Sequence, residues 1–97
     1  MLTFIARMKV KPEKEQDYLR LVQQLSDEVR AHEPETTIYQ FFRERGKPLH
    51  YAVIEQFSSE ASEEAHRDTP HFHRLAPPLI DCLDGTYVRE YLDPIKG

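Results

Sequence analysis

The sequence is poor in the residues on which several common functional motifs depend. Its 97 residues include one cysteine, three glycines and no tryptophan, and asparagine is also absent. The single cysteine, Cys82, excludes an internal disulfide and a paired-cysteine metal motif, and its apolar neighbours favour a buried packing role. Three scattered glycines exclude a glycine-rich phosphate loop, and no nucleophile-elbow motif is present.

The charge and hydropathy patterns also lack features of two large protein classes. The formal net charge is −4 and no basic stripe is present, so a nucleic acid is not expected as a partner. No window approaches the ~18 consecutive apolar residues of a membrane span. The N-terminal segment MLTFIARMKVKP lacks a basic region followed by a long apolar run. We therefore expect a cytoplasmic protein that does not bind membranes.

Length and composition predict one domain with a thin core. No linker rich in glycine, serine or proline divides residues 1–97. Apolar residues make up 39% of the chain, below the roughly 45–50% that is usual for globular domains. Because a small domain with few apolar residues gains burial by pairing, we expect a homodimer.

Hydrophobic periodicity predicts the order of helices and strands. Alternation of apolar and polar residues, or enrichment in β-branched and aromatic ones, predicts strands at residues 2–10, 36–44, 50–57 and 86–92. Helical spacing, with start and stop signals, predicts helices at residues 13–32, 61–67 and 70–83. The resulting βαββαβ order is typical of a ferredoxin-like α+β fold, with an antiparallel sheet and helices on one face.

Three stretches of the chain carry a family resemblance. They are MLTFIARMKVKP at the start, HEPETTIYQFF after the first helix, and IEQFSSEASEEAHRDTPHF over residues 54–72. Together they resemble the antibiotic biosynthesis monooxygenase (ABM) family over almost the whole chain. The marks are an acidic turn before a strand with a tyrosine, a strand ending Glu-x-aromatic, and a histidine followed by Thr-x-His-aromatic. In this chain they correspond to Glu33 and Tyr39, to Glu55 and Phe57, and to His66 and residues 69–72.

The resemblance implies a dimeric α+β barrel with an apolar pocket between the sheet and the helices. It also implies a monooxygenase that acts on a quinol or other phenolic molecule without a bound cofactor or metal. The haem-degrading members rely on Trp and Asn, which are absent here, so that branch does not fit, and the polyketide oxygenases tend to use both residues with a Tyr. Two alternatives stay open: a non-oxidative isomerase of a small metabolite, and a non-catalytic dimer that binds a ligand.

The candidate catalytic residues are His66 and Glu55. A histidine with its ordinary pKa near ~6.5 suits proton transfer at neutral pH. A carboxylate would fix its tautomer, and Glu55 lies at the end of the strand that precedes its helix. In the alternative interpretation, the same pair is a structural clamp between helix and strand.

The remaining candidates would bind an aromatic substrate or belong to the core. They are Tyr39, Tyr51, Phe57, His71 and Phe72. For His71 the sequence slightly favours a structural role, in which it bonds the backbone at a helix start. His73 is about 200° around a helix from His71. Because of this, and because Pro70 interrupts the helix between His66 and His71, a histidine metal site is not expected.

Overall fold

The computed structural model describes residues 1–96, which form four strands and three α-helices. The strands are β1 (Leu2–Lys9), β2 (Thr36–Arg43), β3 (His50–Phe57) and β4 (Val88–Leu92). The helices are α1 (Glu15–His32), α2 (Glu60–Arg67) and α3 (Pro70–Asp81), and a 3-10 turn at Pro12–Lys14 leads into α1. The predicted ferredoxin-like α+β fold is confirmed, and every predicted boundary lies within about two residues of the observed one, an error that is usual for helix and strand ends.

The four strands form one antiparallel sheet in the order β2-β3-β1-β4. Glu55 of β3 lies opposite Phe4 of β1 on one side and opposite Tyr39 of β2 on the other. Phe4 in turn lies opposite Tyr91 of β4. Because directly paired residues point to the same face of a sheet, these side chains form one row beneath the helices.

The core lies between one face of this sheet and the helices. On α1, residues Tyr18, Leu21, Leu25 and Val29 recur at helical spacing and are buried. They pack with alternate residues of β1 and β3 and with the end of α3 in one apolar cluster. Cys82 is buried in that cluster, as predicted.

The junction of α2 and α3 brings two histidines close together. Ser59 caps α2 through a capping box, and His66 lies in the last turn of that helix. Thr69 caps α3 by accepting a hydrogen bond from the backbone N–H of Phe72, at 3.2 Å. His71 therefore lies in the first turn of α3, close to the end of α2.

The face of the sheet opposite the helices carries exposed apolar side chains. Ile38 and Phe42 on β2 are 39% and 47% exposed, and Val88 and Leu92 on β4 are 68% and 48% exposed. The two strands are the edges of the sheet, and Ile5 and Ile54 of the central strands lie on the same face between them. Among residues 1–96, no helix is both long and apolar enough to cross a membrane.

Candidate functional site

A cavity of about 60 Å³ lies between the sheet and the helices, and it is partly open to solvent. Most of its wall is apolar. Five polar side chains with ionisable groups line it: Tyr39, Glu55, His66, Tyr87 and Arg89. Ile80 and Tyr87 are the exposed members of the lining and therefore mark its mouth.

In this wall, His66 contacts three aromatic rings and one carboxylate. Its ring centroid lies 5.0 Å from that of Phe72, 5.2 Å from that of Phe57 and 5.4 Å from that of Tyr39, and the residue is 3% exposed. Its Nδ1 lies 2.8 Å from Oε1 of Glu33. An ionised carboxylate can only accept a hydrogen bond, so the ring hydrogen is on Nδ1. Nε2 of the neutral ring is therefore the basic nitrogen.

Glu33 is the residue that connects the three helices at this site. It directly follows α1, and its Oε2 lies 2.5 Å from Nε2 of His71, while its Oε1 also accepts from Thr36 at 2.8 Å. Burial alone would raise the pKa of Glu33, but hydrogen bonds from His66, His71 and Thr36 outweigh it and lower the pKa. Glu33 is therefore ionised at neutral pH.

Glu55 faces the same cavity from β3 without bonding His66. Its Oε1 lies 3.8 Å from Nε2 of His66, which is too long for a hydrogen bond. The expectation that Glu55 fixes the histidine tautomer is wrong, because Glu33 fills that position. Burial raises the pKa of Glu55 to about 7, against the opposing effects of His66 and Arg89. The cavity therefore contains a carboxyl group that is half protonated near neutral pH.

Arg89 supplies a positive charge to the cavity wall. Its guanidinium lies 4.3 Å from the ring centroid of Phe4 and 3.6 Å from the carboxylate of Glu63. The sequence analysis predicted no site role for Arg89. Alternation along β4 could have indicated one, because it places Arg89 on the same face as Tyr87. A partly buried guanidinium can stabilise negative charge that develops on a substrate.

The structure separates the predicted substrate-binding residues into two groups. Tyr39 and Phe72 line the cavity, whereas Phe57 lies behind the His66 ring. Tyr51 lines a different groove, between α1 and β2, and its hydroxyl donates to Glu15 at 2.7 Å.

His71 is also outside the cavity lining. The interpretation that it bonds the backbone is wrong, because its Nε2 bonds the carboxylate of Glu33. His73 is exposed and pairs with Asp68 at 3.1 Å. In the described part of the chain, no group of three or more His, Cys, Asp or Glu side chains is arranged to hold a metal ion.

Comparison with known proteins identifies the family. The family model named "Antibiotic biosynthesis monooxygenase" matches residues 1–77, which is most of the chain. The chain belongs to the ABM family. A curated relative from Bacillus subtilis (strain 168), named "Putative monooxygenase YcnE", is 33% identical over 72 residues, which cover 74% of this chain and 75% of the relative. Both names indicate a monooxygenase, and neither indicates a substrate.

Solved structures of the ABM family share the whole fold. A Caulobacter crescentus structure, described as a putative antibiotic biosynthesis monooxygenase, has a TM-score of 0.90 and 27% identity, covering 98% of this chain and 90% of its own. A second structure, named "antibiotic biosynthesis monooxygenase", also has a TM-score of 0.90, with 29% identity over 99% of this chain and 100% of its own. The ABM fold therefore extends over the cavity and the residues that surround it.

Proposed function

We propose that this ABM protein is a cofactor-independent monooxygenase that oxidises a quinol or related phenolic molecule with O₂, and that His66 is its base. The observation that carries the proposal is the 2.8 Å bond between Nδ1 of His66 and the carboxylate of Glu33. It leaves Nε2 as the basic nitrogen of a buried ring that lines a cavity with mostly apolar walls. The family and the name of the Bacillus relative support the reaction type.

Proton transfer to His66 starts the proposed reaction. Nε2 takes the proton of a substrate hydroxyl, and Glu33 stabilises the imidazolium that forms. The electron-rich ring carbon of the resulting anion then bonds to O₂ and forms a peroxide. When the O–O bond breaks, one oxygen atom stays on the ring and the other leaves as water, so a quinol becomes a hydroxyquinone. The substrate supplies all the electrons for the reduction of O₂.

The other polar groups of the cavity support this chemistry electrostatically. Arg89 lines the wall and can stabilise the phenolate and the peroxide oxygen. The pKa of Tyr39 is raised well above 10.0 by burial, so its hydroxyl stays protonated and can act as a donor. These two groups provide hydrogen-bond donors in a chain that has no Trp or Asn.

The cavity volume limits how a substrate can enter. A closed cavity of about 150 Å³ accepts benzene, whereas this cavity measures about 60 Å³ and is partly open. We propose that only the reacting edge of the phenolic ring enters, and that the rest contacts Ile80 and Tyr87 at the mouth. The interior then holds O₂ next to His66.

Oxygen consumption with a panel of quinols tests this function. Wild-type protein is expected to consume O₂ with at least one quinol, and His66→Gln is expected to lose about 100-fold or more in rate, since general-base catalysis contributes that much. His73→Gln is the matched control, because His73 is exposed and outside the cavity lining. No consumption by the wild type, or equal rates in wild type and His66→Gln, would contradict the proposal.

A non-oxidative isomerase is the second candidate. It is favoured by one observation, the presence of both His66 and a Glu55 carboxyl with a pKa of about 7 in the same cavity. A basic ring nitrogen next to a carboxyl group with this pKa suits removal and return of a substrate proton. Product formation that continues under anaerobic conditions would favour this candidate.

We also propose that two copies of the chain pair through the open face of the sheet. Its exposed apolar residues, including Phe42 and Val88, form a surface that monomeric proteins rarely leave in contact with water. Two antiparallel sheets can pack face to face through such surfaces. The cavity lies on the opposite side of the sheet, so pairing leaves its mouth open.

A further inference from the structure

Two buried histidines share one carboxylate where α1, α2 and α3 meet. Oε1 of Glu33 bonds Nδ1 of His66 at 2.8 Å, and Oε2 bonds Nε2 of His71 at 2.5 Å. The side chains of all three are at most 8% exposed. With both rings neutral, the cluster has a net charge of −1; with one ring protonated it is neutral; with both protonated it is +1. Because burial disfavours a change in net charge, a proton gained by one ring is best matched by a proton lost from the other.

The free nitrogens of the two rings face different spaces. His66 lines the cavity, whereas His71 lines a surface depression with His32 and Thr69. Neither Nε2 of His66 nor Nδ1 of His71 makes a hydrogen bond within residues 1–96. In the same range, no side-chain nitrogen or oxygen is both buried and without a partner. Each of the two nitrogens therefore has access to the space that it faces.

We infer that His71 is a second proton carrier of this site: a proton taken up on Nε2 of His66 from the cavity is matched by a proton released from Nδ1 of His71 to solvent. One N–H bond forms on His66 and one breaks on His71, so the cluster keeps its charge. Glu33 is the shared counter-ion and no proton passes through it. In turnover, which rests on the proposed function, this exchange removes the substrate proton without adding charge to the buried cluster.

The charged groups on the cavity side favour proton uptake at His66. Oε1 of Glu55 on β3 lies 3.8 Å from Nε2 of His66, and Arg89 on β4 partly offsets the charge of Glu55. Glu63 on α2 contacts Arg89 at 3.6 Å, and Tyr39 on β2 presents a neutral ring. An ionised Glu55 is thus the nearest charge to the incoming proton.

The groups on the surface side allow release from His71. The ring of His32 on α1 stacks on that of His71, with centroids 6.0 Å apart. Glu28 on α1 is the nearby acid, and it is paired with His32 at 3.2 Å and with Arg74 on α3 at 3.7 Å. Because these pairs offset its charge, Glu28 does not hold a proton on His71 strongly.

A titration of the substrate-free protein tests the coupling. In His71→Gln, the side-chain amide keeps a hydrogen bond to Glu33 but binds no proton. Without a competing cation, His66 should be protonated at higher pH, so the midpoint of its imidazole NMR resonances should rise by about one pH unit. His73→Gln is the control, because the exposed His73 pairs with Asp68 and not with Glu33, and it should move the midpoint far less. An unchanged midpoint in His71→Gln, or an equal shift in both variants, would overturn the inference.

The wild-type titration gives an independent result if His71→Gln fails to fold. Coupled histidines each report both protonation steps, so the resonances of His66 and His71 should share two midpoints. Two separate single-step curves would overturn the coupling. Since neither titration uses substrate or oxygen, a failed coupling and a failed monooxygenase activity are observed separately.

Discussion

Glu33 bonds Nδ1 of His66 at 2.8 Å, although 33 positions separate the two residues in the chain. The bond joins the end of α1 to the last turn of α2 and is almost completely removed from solvent. Removal of either partner leaves the other buried and unpaired, which is costly for stability. The same bond sets the tautomer of the proposed base, so it has both a structural and a functional consequence.

Replacement of Glu33 by glutamine should make the free energy of unfolding less dependent on pH in acid. The pKa of Glu33 is lowered from 4.5 in the folded state, so its stabilisation is complete above its unfolded value and is lost as the pH falls through the folded value. Wild-type protein should therefore lose stability below about pH 4.5 more steeply than Glu33→Gln. Urea denaturation from neutral to acidic pH measures this, with the exposed Glu64→Gln as control. Parallel profiles for wild type and Glu33→Gln would disagree with the prediction.

Replacement of Glu55 by glutamine should have the opposite dependence on pH. Burial raises the pKa of Glu55 from 4.5 to about 7, so the wild type loses stability as the pH rises between these values and does not recover it above them. The difference in free energy of unfolding between Glu55→Gln and wild type should therefore favour the variant more above this window than in acid, by up to about 3 kcal/mol. Denaturant midpoints at the two ends of the window measure this difference. An equal difference in stability between Glu55→Gln and wild type at both pH values would contradict the prediction.

Arg89→Met should weaken catalysis through the loss of a positive charge at the cavity wall. The loss of one donor that stabilises a developing anion costs about 100-fold in kcat. Steady-state kinetics with the best quinol measure the change, and the exposed Arg45→Met serves as the control for charge. Equal kcat/KM in Arg89→Met and wild type would exclude Arg89 from anion stabilisation.

The proposed dimer predicts the effect of a charge on the open face of the sheet. Ile54 on β3 lies opposite Ile5 of β1, on the face away from the helices. Ile54→Asp should therefore produce a monomer in light scattering, whereas Gln24→Asp on the exposed surface of α1 should leave a dimer. A monomeric wild type, or a dimeric Ile54→Asp, would show that this face is not the interface.

Local patterns were sufficient to predict the fold of this chain. The alternation in β1 and the helical spacing in α1 each concern residues a few positions apart, and the cap at Thr69 defines the start of α3 from neighbouring residues. Each of these signals depends on local backbone geometry, which repeats with a known period. The order of the elements then limits the sheet to few arrangements.

The site was predicted less completely, because it depends on contacts between distant parts of the chain. Glu33 was noted as a family mark, but no periodicity shows that it meets His66 and His71 from two other helices. Tyr51 shares a face with Glu55, yet four residues along a strand correspond to about 13 Å, which places it in another groove. Tyr39 and Phe72 do lie beside His66 in the cavity wall, and their role in substrate binding stays a prediction.

Oxidation of the best quinol under ¹⁸O₂ tests the central claim most directly. If the chain is a monooxygenase with His66 as its base, mass spectrometry should find one ¹⁸O atom in each product molecule and the other in water. His66→Gln should form labelled product far more slowly, while His73→Gln should match the wild type. Product without ¹⁸O, or labelled product formed at the wild-type rate by His66→Gln, would contradict the claim.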